Sequence, residues 1–212
     1  MNEFLSSGRF IDSDDPGVVA FSKANTKGKS ERERAISLYY AVRDEIRYNP
    51  FLDFSKPAAF TASAVLEAGE GFCIGKAALL AACGRVAGIE TRVGFADVKN
   101  HLTTPRLAET MGTDLFVYHG YADLHLEGQW VKATPAFNLA LCKRFRVKPL
   151  EFDGRNDSIF HAFDEDDRRH MEYVSDRGRY VDVPVAEIQR VFSETYPKFY
   201  RLGRDAAKET FA

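Results

Sequence analysis

The apolar positions fall into two periods along the chain. From Glu31 onward, Ile36, Tyr39, Tyr40, Val42 and Ile46 recur at helical spacing, which predicts an amphipathic helix. Ser30 is a good N-cap for it, and Asn49-Pro50 stops it. A short helix over 18–24 is expected after Pro16, and another over 62–68 ending at Gly69. Residues 74–86 are rich in Ala and Leu and read as a buried helix closed by Gly88. The period then becomes two. Residues 91–98 alternate as a strand, with Val93 and Phe95 set against Arg92, Gly94 and Ala96. The clearest strand covers 115–126: Leu115, Val117, His119, Tyr121, Asp123 and His125 occupy one face by strict alternation. Glu127-Gly128 turns into a second strand over 129–134, ended by Pro135. Residues 137–145 and 185–192 read as helices, and the stretch 148–183 is polar and turn-rich with weak periodicity. Helices first and an antiparallel sheet afterwards predict an α+β fold.

Composition narrows the function classes. The chain has 212 residues, 45% of them hydrophobic, so a single globular domain over 1–212 with a sizeable core is expected. A net charge of −2, with basic residues scattered singly, gives no electrostatic argument for nucleic acid or an anionic membrane. The N-terminal residues lack a secretory signal pattern, and no apolar run is long enough to span a bilayer. Cys73, Cys83 and Cys142 are too few for a disulfide framework, and none forms a C-x-x-C pair. A reduced, cytoplasmic protein without a structural zinc site is the reading that follows.

Two residues carry candidate chemistry. Cys73 sits where the glycine-bearing loop Gly69-Glu70-Gly71-Phe72 enters the buried helix. Free N–H groups of a first helical turn favour a thiolate and can also hold a tetrahedral oxyanion. His119 lies mid-strand, where it could reach the sulfur and take its proton. Taken singly, a buried cysteine is as often an inert apolar side chain, and Cys83 and Cys142 fit that description. The pair, in this order and these contexts, is the informative signal.

These segments resemble the transglutaminase-like superfamily. Gly71-Phe72-Cys73-Ile74-Gly75-Lys76, continuing to Gly88-Ile89-Glu90-Thr91-Arg92, is similar to the family's nucleophile segment. His119-Gly120-Tyr121-Ala122-Asp123-Leu124, with Gly128, Trp130 and Pro135, resembles its histidine strand and following hairpin strand. Val42-Arg43-Asp44-Glu45-Ile46-Arg47-Tyr48 is similar to the helix preceding that core. The resemblance covers about 30–138 and leaves 139–212 as a C-terminal extension packed on the core. It implies a papain-like core with a nucleophile helix on an antiparallel sheet. The reaction it implies is cysteine-dependent amide acyl transfer or hydrolysis on a protein, peptide or small amide. No cofactor and no metal are implied, and there is no EF-hand loop.

The family's third catalytic residue is an aspartate just before the hairpin proline, and here that position is Thr134. Thr134 can accept a hydrogen bond from the imidazole but carries no charge. Three readings stand: Thr134 orients His119, an acid such as Asp153 or Asp97 does so, or the site is weakened and the domain binds without catalysing. Other candidates rank lower. Tyr48 or Tyr118 could offer an oxyanion hydroxyl, and Asn100-His101 could line a cleft. His119, Asp123 and His125 are too spread along a strand for a tight metal site. Asp164-Glu165-Asp166-Asp167 reads as a solvated turn, and oligomeric state is not legible.

Overall fold

The buried helix expected behind Cys73 is the centre of the molecule. The computed structural model describes residues 2–100, 109, 111–159 and 171–198. Helix α1, Pro16–Asn25, is capped by Asp15, whose carboxylate accepts from the Gly17 and Val18 N–H groups. Helix α2, Glu31–Glu45, starts on Ser30 with a full capping box: Ser30 accepts from the Glu33 N–H, and Glu33 reaches back to the Ser30 N–H. Helix α3, Ala62–Ala68, ends on Gly69 in the left-handed region at φ 64°. Helix α4, Cys73–Val86, is buried at every residue from Cys73 to Arg85. Helices α1, α2 and α3 pack around it on one side and the sheet on the other.

Two charges enter this core on α4, and both find carbonyl partners. Lys76 donates from Nζ to the Arg43 and Ile46 carbonyls and so closes the C-terminal end of α2. Arg85 donates to the carbonyls of Ser6, Thr91 and Val181 and to the Thr91 hydroxyl. A buried charge needs such partners because the cost of losing water is otherwise uncompensated.

A two-residue parallel pair joins β1, Arg47–Tyr48, to β2, Glu70–Gly71, with Tyr48 opposite Gly71. The main sheet holds β3, Thr91–Asn100, β4, Leu115–Leu126, β5, Gln129–Ala133, and β6, Met171–Tyr180. Its order is β5-β4-β3-β6 and every pairing is antiparallel. Glu127 and Gly128 both take positive φ, 51° and 88°, which suits a tight hairpin between β4 and β5. The α+β reading holds. Helix α5, Leu139–Phe145, begins two residues later than expected, after Asn138, and α6, Val185–Thr195, runs a turn further. Among the described residues, no helix is long and apolar enough to cross a membrane.

Two expectations change. The stretch 148–183, which reads as polar and turn-rich with weak periodicity, contains a strand, β6. Strand β6 is an edge strand with most of its side chains outside the core and two register shifts against β3, so no apolar alternation marks it. The strict alternation expected over 115–126 is also interrupted. Ala96 pairs with His119 but Val98 pairs with Phe116, so Asp97 faces two residues, Val117 and Tyr118. Tyr118 takes φ 56° in this bulge, a conformation that costs a non-glycine residue about 1–2 kcal/mol.

Candidate active site

Strand β4 and the first turn of α4 meet at backbone distance. A Cβ added to Gly120 would lie 2.9 Å from Ile74 Cα and 3.3 Å from Ile74 N. Only a residue without a side chain permits that approach. It brings the strand segment that carries His119 against the helix start that carries Cys73. Both residues are buried, and both line one cleft of about 50 Å³, room for a few water molecules. Phe54, Phe72, Phe116, Val117 and Phe192 form its apolar walls, with Tyr48, Pro50, Met111 and Tyr196 completing it.

The electrostatics of the sulfur are a contest. Burial pushes the Cys73 thiol up to about 11, against hydrogen bonds from the Gly120, Ile74 and Cys73 N–H groups that favour the anion. Burial wins, so the helix terminus alone does not produce a resting thiolate, and a base has to take the proton. Tyr48 lies close enough to feel the sulfur: burial first, and then the Cys73 charge, push its hydroxyl well above the ordinary tyrosine range. It therefore stays a neutral donor beside the cleft. Cys142 is likewise pushed up to about 11 by burial, and its thiol faces the Phe137 carbonyl. Cys83 is fully buried in α4 and its thiol is raised further by burial alone.

Thr134 follows β5 directly and is buried. Its hydroxyl donates to the Ile159 carbonyl at 2.7 Å, and its N–H donates to the Ser158 carbonyl. The hydroxyl proton is thus committed, while the oxygen lone pairs are left to accept. Asp153 is occupied by its own turn: its carboxylate accepts from Arg155 N–H, Asn156 N–H and the Asn156 amide. Those bonds hold its pKa down at about 2. Asp97 is buried and takes a bidentate ion pair from Arg177 and further bonds from Ser175 Oγ and the Tyr118 N–H. Both acids are engaged in these structural bonds.

The lower-ranked residues separate clearly. The Tyr118 hydroxyl donates to Glu187 at 2.6 Å, so it is not an oxyanion donor. Asp123 is paired to Arg92 at 2.8 Å, and His125 is half-buried, packed at a tilt against Trp130 and 3.6 Å from Glu90. Trp130 is a packing residue, with Phe4 at its edge and the Arg92 guanidinium 4.0 Å from its ring centre. His101 and the acidic run 164–167 lie outside the described residues. Among the described residues, no group of three His, Cys, Asp or Glu could hold a metal ion. Sequence reasoning missed Phe192 and Tyr196, which reach the cleft from beyond the main sheet. The amphipathic pattern of α6 was visible, but nothing in it pointed to the cleft.

A family model of the transglutaminase-like superfamily matches residues 20–135, more than half of the chain. Among solved structures, a "Putative Cysteine Protease" from Cytophaga hutchinsonii aligns at 14% identity and a TM-score of 0.46, over 84% of this chain and 53% of its own. A "putative protease" from Parabacteroides distasonis aligns at 18% identity and a TM-score of 0.38, over 59% of this chain and 25% of its own. The chain thus spans about half the length of the first structure and a quarter of the second. No curated protein matches it.

Proposed function

Because the chain belongs to the transglutaminase-like superfamily, we propose that it performs cysteine-dependent acyl transfer or hydrolysis on an amide, with Cys73 as nucleophile and His119 as base. One observation carries this reading. The Cys73 thiol and His119 line the same cleft, and three backbone N–H groups face the sulfur.

The chemistry follows from that arrangement. His119 takes the thiol proton as the sulfur attacks the carboxamide carbon. Charge moves to the carbonyl oxygen, where backbone N–H groups of the α4 first turn, and the neutral Tyr48 hydroxyl, can donate to it. The tetrahedral adduct collapses, His119 returns the proton to the leaving nitrogen, and the amine departs. A thioester on Cys73 remains. Water, or a second amine activated by His119, attacks it and restores the thiol. The substrate is a protein, peptide or small amide. The apolar walls favour an uncharged group next to the reacting carbonyl.

Thr134 is the orienter of His119 in this reading. Its proton goes to Ile159, so its oxygen is an acceptor for an imidazole N–H. A threonine sets the tautomer but adds no charge to stabilise an imidazolium, so acylation is slower than with an aspartate. A second reading, a binding module that keeps the fold, draws on two other facts: the neutral Thr134 and the thiol raised by burial. Incubation with a peptide that carries a thiol-directed alkylating group separates them, because the thioether it forms cannot turn over. Alkylation of Cys73 that requires His119 supports the enzyme, and Cys73 alkylation that is absent or indifferent to His119 supports the binding module.

A further inference from the structure

Two residues before Gly120, the backbone departs from sheet geometry, and side chains hold the departure in place. The N–H groups of Val117 and Tyr118 oppose the single residue Asp97. Side chains satisfy both. The Val117 N–H donates to the Tyr196 hydroxyl at 2.6 Å, and that hydroxyl donates to the Leu115 carbonyl at 2.8 Å. The Tyr118 N–H donates to Asp97 Oδ1 at 3.1 Å. Tyr118 is a bulky residue at φ 56°, so it stays left-handed only because its surroundings over-determine it. One extra residue in a strand shifts the phase of every side chain beyond it. The next side chain is His119.

We propose that Asp97 is a positioning residue for the Cys73–His119 site: its carboxylate clamps the Tyr118 N–H, fixes the bulge, and so aims His119 into the cleft. This rests on the Cys–His reading above. The clamp is built to be rigid. Arg177 on β6 approaches Asp97 with Nε at 2.9 Å and Nη2 at 2.7 Å, and Ser175 Oγ lies at 3.1 Å. The carboxylate is buried, so these donors fix it against rotation and compensate its charge. At the other end, the Tyr118 hydroxyl bonds to Glu187 on α6, and the Arg177 guanidinium lies 5.1 Å from the Tyr118 ring centre. The edge strand β6 therefore bears on the site through one acid, although none of its residues lines the cleft.

The test reads the rate of Cys73 alkylation by iodoacetamide across neutral pH, resolved by mass spectrometry, in the full chain. Asp97→Asn keeps the shape of the side chain but sets an amide against Arg177. It is expected to slow Cys73 labelling by roughly 10- to 100-fold and to remove the neutral-pH component of the profile, as a small misplacement of a reacting group does. Tyr118→Gly placed on top of Asp97→Asn is expected to restore most of the rate, because glycine adopts the left-handed backbone without a clamp. A purely structural role would lower the melting temperature without glycine rescue of the rate. If Asp97→Asn does not fold, Arg177→Gln reads the same claim and is expected to slow labelling several-fold. Wild-type rates in the variants, or loss of rate that glycine does not restore, overturn the positioning role alone. A wild-type Cys73 whose labelling is indifferent to His119 overturns the underlying site as well, since Asp97 then has nothing to aim.

Discussion

Gly120 and Ile74 approach so closely that a methyl group cannot stand between them: a Cβ on Gly120 would lie 2.9 Å from Ile74 Cα. This contact joins the strand that carries His119 to the helix that begins with Cys73. The site is therefore a property of backbone packing before it is a property of side chains. Gly120→Ala has to move helix backbone rather than a flexible side chain, so it is expected to cost about 1–3 kcal/mol of stability by overpacking. It is also expected to weaken Cys73 reactivity more than its melting temperature explains. Urea unfolding together with Cys73 labelling checks both. A fully reactive Gly120→Ala protein would show that the approach does not matter.

Thr134 gives a second, smaller test. Thr134→Val keeps the volume and removes the hydroxyl. The Ile159 carbonyl then loses its donor, a loss of about 1–3 kcal/mol if it stays dry. The His119 orienter is lost at the same step. Cys73 labelling at neutral pH is expected to fall about tenfold, as loss of a general-base alignment does. Thr134→Ser, which keeps the oxygen, should label near the wild-type rate. Equal slowing in both variants would mean that packing, not the hydroxyl, is what matters there.

Much of the fold was legible in the sequence. Ser30 with Glu33, the Ala-rich run behind Cys73, and the Glu127-Gly128 turn are local signals, and each has a local physical cause. The placement of Cys73 at a helix start and of His119 in mid-strand was legible too. What was not legible depends on contacts between distant segments. Nothing local marks β6, most of whose residues lie outside the core, yet its Arg177 and Ser175 hold Asp97. The bulge at Tyr118 carries no glycine, the usual sign of such a turn. Nothing local marks Lys76, within the Ala-rich helix, as a buried cap on α2.

That lysine makes stability depend on pH with a definite sign. Burial lowers the Lys76 pKa to about 7, well below its unfolded value. Above that pH the unfolded chain binds more protons at Lys76 than the folded chain does. Stability therefore rises with pH from about 7 upward, until the cysteines and tyrosines begin to titrate. The slope is expected to approach at most about 1.4 kcal/mol per pH unit. Lys76→Met should flatten it while lowering overall stability, because the Arg43 and Ile46 carbonyls lose their donor. Denaturation midpoints measured across mildly alkaline pH check this. An unchanged slope in Lys76→Met would place the dependence elsewhere.

The central claim is that His119 activates Cys73, and one measurement reaches it without knowledge of the substrate. Iodoacetamide labelling at neutral pH is followed at all three cysteines in the wild-type protein and in His119→Ala. Burial alone slows Cys83 and Cys142, so the deciding comparison is Cys73 with and without the imidazole. Cys73 is expected to label fastest in the wild type and to lose about a hundredfold or more in His119→Ala, the scale of a positioned base. Cys73 labelling at the same rate in both proteins would contradict it.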